Sequence, residues 1–171
     1  MTQIDKTKPV MVTGANGYVA SWLVNKLLDE GITVHAAVRN PDNEKKIAHL
    51  KEAAKNSKGE IKFFAADLLK EGSYMKAMEG CELVYHTASP FTTDVKNPQK
   101  ELIEPAVNGT ANVLNTANEI ESVKRVVVTS SCAAIYTDAI DTVNAPEGKL
   151  TEEVWNETAS LDSQPYSYPK T

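Results

Sequence analysis

The chain has 171 residues, 42% hydrophobic and 24% charged, which suits one soluble globular domain. Its formal net charge of −5 argues against a nucleic-acid-binding or anionic-membrane surface. The two cysteines, Cys81 and Cys132, are too few for a disulfide framework and lack metal-ligand spacing, so a reducing, cytoplasmic setting without a metal is expected. The polar start of the chain has no apolar core of a signal peptide, and no stretch reaches the length of a membrane span.

Apolar runs of strand length alternate with longer segments of helical period. Residues 10–12 read as a buried strand, and Trp22, Leu23, Leu27 and Leu28 then recur at helical spacing up to the stop at Gly31, with Trp22 expected in the core. Residues 33–38 form a second strand. Asn40-Pro41-Asp42 breaks it and offers a cap to a helix carrying Ile47, Leu50, Ala53 and Ala54. A third strand at 61–65 leads to a short helix near 73–78, and a fourth strand spans 83–86. After a loop containing Pro90, Thr92 and Thr93, residues 102–120 form a long helix with Val107, Thr110, Val113, Leu114 and Ala117 on one face. A fifth strand at 125–129 holds three consecutive valines. Residues 138–165 read as loop with one short helix at 151–156, and a helix begins at Tyr166. The alternation predicts an α/β fold, a doubly wound parallel sheet (a Rossmann fold) covered on both faces.

The organising stretch is Val12-Thr13-Gly14-Ala15-Asn16-Gly17-Tyr18-Val19-Ala20, a strand, a glycine turn and a helix start. Glycine permits positive φ and close backbone approach to a pyrophosphate, and the head of a helix offers N–H groups and a positive dipole end. Ala20 supplies the small side chain needed where helix meets strand. Arg39 stands at the end of the second strand, where a NAD site tends to place an acid. A guanidinium suits a 2′-phosphate, with Lys45 and Lys46 within reach from the next helix, so NADPH (NADP) is the expected cofactor.

Tyr166 and Lys170 are four apart, one face of one helical turn. A phenol is a poor acid–base group at neutral pH until a nearby cation favours its ionised form. Ser131, after the fifth strand, is placed to hydrogen-bond a carbonyl oxygen. His35, His49 and His86 show no ligand spacing, and His86 reads as a satisfied buried histidine. Cys132 reads as a small apolar filler.

In this order the motifs resemble those of the short-chain dehydrogenase/reductase superfamily, extended branch. The similarity is strongest to dihydroflavonol-4-reductase, cinnamoyl-CoA reductase and related ketone and aldehyde reductases, through VTGANGYVASWLV, AAVRNPDNEKKIAHL, AADLLKEGSY, VYHTASPF, AVNGTANVLNTA and RVVVTSSCAAIY. The resemblance implies that Gly14, Asn16, Gly17, Tyr18 and Val19 cradle the pyrophosphate and that Arg39 and Lys46 bind the 2′-phosphate. It implies that Asp67 and Leu68 flank the adenine and that Thr87, Ala88 and Ser89 line the cofactor's middle. Ser131, rather than Ser130, forms the catalytic trio with Tyr166 and Lys170, the last two also touching the cofactor. Hydride passes to a ketone or aldehyde carbon while Tyr166 gives the oxygen a proton. The implied partners are a small carbonyl substrate and, as is usual in the family, a second copy in a homodimer.

The chain departs from the family in three places. Ala106 stands where extended members often carry an asparagine, and Pro169 replaces the serine before the lysine. The family continues beyond the Tyr/Lys helix with further strands and most of the substrate pocket. Residues 1–171 are therefore expected to form an incomplete dinucleotide-binding domain, the C-terminal substrate portion missing. Two rival readings follow: a dinucleotide-binding module without catalysis, and a nucleotide-sugar epimerase or dehydratase of the same superfamily. Arg39 weighs against the latter.

Overall fold

The computed structural model describes residues 3–90 and 95–171. The expected loop after the fourth strand falls partly on 91–94, with Phe91 of the VYHTASPF stretch, and lies to that extent outside the described residues, as do Met1 and Thr2. Two compact units divide the chain: residues 1–88 with 109–129, and residues 89–108 with 130–171.

The first unit is a five-stranded parallel sheet in the order β3-β2-β1-β4-β5, with β1 Val10–Thr13, β2 Val34–Val38, β3 Ile61–Ala65, β4 Leu83–His86 and β5 Arg125–Val128. The order reverses between β1 and β4, and this opens a crevice at the strands' carboxyl ends. Alternation along the central strands builds two cores, as a sheet covered on both faces requires. Val12, Ala36 and Val38 pack with Ala20, Val24, Leu28 and Leu50 from α1 Tyr18–Asp29 and α2 Glu44–Lys55. Met11, Ala37 and Val84 pack on the other side with Ala77 and Met78 of α3 Met75–Met78 and Val113 and Ala117 of α4 Glu104–Glu119.

Several expectations change. Trp22 is 61% exposed, because α1 buries Ala20, Val24 and Leu28, and Trp22 lies roughly 200° around the helix from Ala20. The buried stripe of α4 is Gly109, Val113, Thr116 and Ala117, while Val107 and Leu114 are exposed. Small residues draw this side of the helix close: a Cβ on Gly109 would stand 3.0 Å from the Cβ of Leu68. The valines of β5 are not covered on both faces. Among the described residues β5 has one strand neighbour, β4, and Val127 and Val128 are exposed. The expected 151–156 helix is a turn, whereas a short helix, α5 Asp141–Asn144, and a 3-10 turn, Pro146–Gly148, occupy what reads as loop.

Near the start of the chain, Glu82 accepts the Asp5 N–H at 2.9 Å and pairs with Lys124 at 2.6 Å. The Asp5 N–H, then Lys124, hold its carboxyl below the ordinary glutamate range. A depressed folded-state pKa gives stability that is present above the ordinary value of 4.5 and is lost as pH falls through the folded value. Urea unfolding midpoints of the parent should therefore fall on acidification more steeply than those of Glu82→Gln; parallel acid limbs would contradict this.

Candidate functional site

The crevice of the first unit is built from one buried hydroxyl. Thr13 ends β1 with no exposed surface, and its Oγ1 accepts the N–H of both Thr87 and Ala88 at 3.0 Å. Both lone pairs are then used, so its O–H donates to Nδ1 of His86, 2.9 Å away. This assigns the Nε2–H tautomer to His86, whose Nε2 lies 3.4 Å from Thr110 Oγ1. Thr87 Oγ1 in turn donates to the Thr13 carbonyl. His86 is 2% exposed and hydrogen-bonded, as expected.

Beyond Thr13 the chain turns through Gly14 at φ +59, where a Cβ would meet Ala88 Cβ at 3.0 Å. Gly17 donates to the Gly14 carbonyl at 2.8 Å and caps α1 with no side-chain acceptor, and the first turn of α1 has no acidic residue. Asn16 is half-buried, and Tyr18 and Val19 are exposed. This cradle fits a phosphate-bearing dinucleotide: bare helix-head N–H groups, positive dipole, and no Cβ at the closest approach.

Arg39 is exposed directly after β2, and Lys46 is exposed in the first turn of α2. Neither takes part in an ion pair among the described residues. Asp67 and Leu68 follow β3, Asp67 Oδ1 accepting the Leu69 N–H at 2.9 Å. Their loop is held by a residue the sequence reading missed. Asn112 of α4 donates to the carbonyls of Leu68 and Lys70, both at 3.0 Å. A helix-breaking amide in mid-helix was the available signal.

The second unit brings Ser131, Tyr166 and Lys170 onto neighbouring turns. Ser131 caps the 3-10 turn Cys132–Ala134, its Oγ accepting the Ala133 N–H at 3.2 Å. That turn packs against a second 3-10 turn, Tyr168–Lys170. Where a helix is expected to begin at Tyr166, residues Tyr168–Lys170 form a 3-10 turn, the Lys170 N–H bonding to the Ser167 carbonyl at 2.9 Å. Tyr166 and Lys170 still meet. The Lys170 ammonium lies 5.3 Å from the Tyr166 ring centroid and donates to Ser89 Oγ. Burial pulls the Lys170 pKa below the ordinary lysine value. A concavity of about 510 Å³ adjoins Ser131, lined also by Ile135, Glu152, Val154 and Trp155. Cys132 lines it and is exposed, not the filler expected. Among the described residues no His, Cys, Asp or Glu cluster can hold a metal, and no helix is long and apolar enough to cross a membrane.

Two outcomes follow. Gly14→Ala should lower unfolding stability by about 1–3 kcal/mol, from left-handed strain and contact with Ala88; an unchanged urea midpoint would contradict it. A disulfide reagent should modify Cys132 rapidly. Cys81, buried and with its thiol pushed up to about 12 by that burial, should react only on unfolding, and equal native rates would refute the assignment.

Residues 10–171 match the NAD dependent epimerase/dehydratase family. The chain is 53% identical over 126 residues to a cinnamoyl-CoA reductase of Medicago truncatula, covering 74% of this chain and 38% of that protein. It is 40% identical over 167 residues to a putative anthocyanidin reductase of Ginkgo biloba, covering 96% and 48%. Yeast methylglyoxal/isovaleraldehyde reductase complexed with NADPH superposes with a TM-score of 0.76 at 32% identity, over 95% of this chain and 49% of that one. Vestitone reductase from alfalfa (Medicago sativa) gives 0.66 at 27% identity, again over 95% and 49%. The chain thus spans half or less of the length of these relatives. It belongs to the NAD-dependent epimerase/dehydratase family, within the extended short-chain dehydrogenases/reductases and akin to dihydroflavonol 4-reductase and cinnamoyl-CoA reductase.

Proposed function

We propose that residues 1–171 are the dinucleotide-binding part of an NADPH-dependent reductase that converts a ketone or aldehyde to an alcohol. The observation that carries this reading is the Lys170 ammonium seated over the Tyr166 ring, its turn packed against the one Ser131 caps. The glycine cradle and an Arg39 with no ion pair among the described residues support the cofactor assignment, as does the NADPH in the yeast relative's structure.

In this reading Gly14, Asn16, Gly17, Tyr18 and Val19 hold the pyrophosphate with backbone N–H groups. Arg39 and Lys46 take the 2′-phosphate, Asp67 and Leu68 the adenine, and Thr87, Ala88 and Ser89 the middle of the molecule. NADPH, when bound, supplies the hydride. Ser131 donates its O–H to the substrate carbonyl, because its oxygen already accepts the Ala133 N–H and its proton remains to give. Tyr166 gives its phenolic proton to the same oxygen as the carbonyl carbon is reduced. The negative charge left on the ring faces the Lys170 ammonium, which Ser89 holds in place. A homodimer and a reducing cytoplasmic setting belong to the same reading.

Arg39→Ala should weaken NADPH binding about 10- to 100-fold, the worth of a charge-assisted bidentate contact, while changing NADH binding less than about twofold. Equal losses would remove the 2′-phosphate assignment. Tyr166→Phe should abolish NADPH oxidation with small ketones and aldehydes yet keep NADPH binding. Undiminished turnover would remove Tyr166 as proton donor. Binding without any turnover in the parent chain would support the non-catalytic module instead.

A further inference from the structure

In the second unit one buried side chain, Asn156, is bonded to two stretches of chain beside the concavity, and nothing above assigns it a role. Asn156 is buried to 7% exposure. Its Nδ2 donates to the Ala133 carbonyl at 2.8 Å and to Thr137 Oγ1 at 2.7 Å. Its Oδ1 accepts the N–H groups of Thr158 and Ala159, both at 3.0 Å. This pattern fixes which end of the amide is nitrogen: a carbonyl faces one end and two N–H groups the other. The backbone N–H of Asn156 adds a bond to the Ala134 carbonyl at 2.9 Å.

The nitrogen end of the amide bonds the Ala133 carbonyl and the oxygen end the N–H groups of Thr158 and Ala159, with the Thr137 hydroxyl in reach of both ends. Ala133 and Ala134 belong to the turn that Ser131 caps, and they follow Ser131 by two and three residues. Val154 and Trp155 immediately precede Asn156 and line the concavity together with Ser131. Trp155 is 64% exposed and has little packing of its own to locate it. The bonds of Asn156 to the Ala133 and Ala134 carbonyls thus join the segment that carries Val154 and Trp155 to the turn that Ser131 caps.

We propose that Asn156 is the positioning residue of the carbonyl pocket: its carboxamide holds the Val154–Trp155 wall at a fixed spacing from Ser131 and so sets the pocket's affinity for an apolar carbonyl compound. This rests on reading the Ser131 concavity as the carbonyl site. The donor end of the amide is the critical one. An aspartate in its place keeps the acceptor for Thr158 and Ala159 but turns a carboxylate oxygen toward the Ala133 carbonyl, where two acceptors repel. Protonating that carboxyl restores an O–H donor. Asp141 is the carboxylate tied into the same network, through Thr158 Oγ1 at 3.1 Å. The N–H groups of Thr137 and then Asp138 hold it below the ordinary aspartate range, so it stays ionised in the window tested. Glu157 and Glu153, on the same segment, are exposed.

The test uses the full chain with Trp22→Phe, so that Trp155 is the sole tryptophan, and reads its anisotropy and its quenching by acetophenone. Asn156→Asp should lower the anisotropy and weaken acetophenone binding about tenfold near pH 7.5, and recover both to within about twofold near pH 5. Asn156→Ala, lacking both ends, should be weak at both values, and the parent should be flat. Thr137→Val, which keeps the amide and removes one partner, should cost about threefold if the aspartate variant fails to fold. Acetophenone binding equal to the parent's in all variants would overturn the positioning role. A parent that binds no acetophenone would overturn the carbonyl-pocket reading itself, whatever the anisotropy does.

Discussion

The hydroxyl of Thr13 is the constraint on which the first unit's crevice depends. It sits where β1 ends and the sheet order reverses, the one place where two adjacent strands send their chains to opposite faces. Without a tie the exits of β1 and β4 would splay. Thr13 closes the gap by accepting two N–H groups from the β4 exit and giving its proton to His86. Each bond is worth about 1 kcal/mol net, but an orphaned N–H there would cost about 1–3 kcal/mol, so the set is far harder to break than its sum suggests. Ala88 is thereby held against Gly14, and that contact is what excludes a side chain from the turn.

The second unit solves a similar problem with an amide. Ser131, Tyr166, Lys170 and Ser89 sit on two short 3-10 turns and adjoining loops, none of which has the length to hold a side chain by helix packing alone. Side-chain hydrogen bonds replace that packing: Ser131 and Asn156 to the backbone of Ala133, and Lys170 to the hydroxyl of Ser89. Such sites are precise only while every polar partner is present. That is why an exposed tryptophan can serve as a pocket wall.

Much of this was legible in the sequence. The strand–glycine–helix stretch, the strands at 61–65 and 83–86, and the alternation into a parallel sheet follow from local pattern, because period and turn chemistry are local properties. Trp22 and the buried stripe of α4 were misread because apolar identity alone does not say which face a helix turns inward. Gly109 and Ala20 decide that by letting backbones approach, and small residues carry little hydrophobic signal. The valines of β5 fit a sheet covered on both faces, but whether a given strand is so covered depends on the sheet's order and not on the strand. The stretch expected to begin a helix at Tyr166 carries a 3-10 turn at Tyr168–Lys170, and Lys170 still meets the Tyr166 ring. Thr13, Asn112 and Asn156 were missed as organisers because what each bonds to lies far off in sequence, except where Asn156 also serves its own loop.

The most direct test of the Thr13 account is an NADPH titration of Thr13→Val beside Thr13→Ser and the parent chain. Valine matches threonine in shape and removes the hydroxyl, whereas serine keeps it. If the tie sets the glycine turn, the valine chain should unfold in one transition as the parent does, yet bind NADPH about tenfold or more weakly, with serine near the parent. Equal affinity in all three would show that the turn holds its shape without Thr13, and would contradict the account.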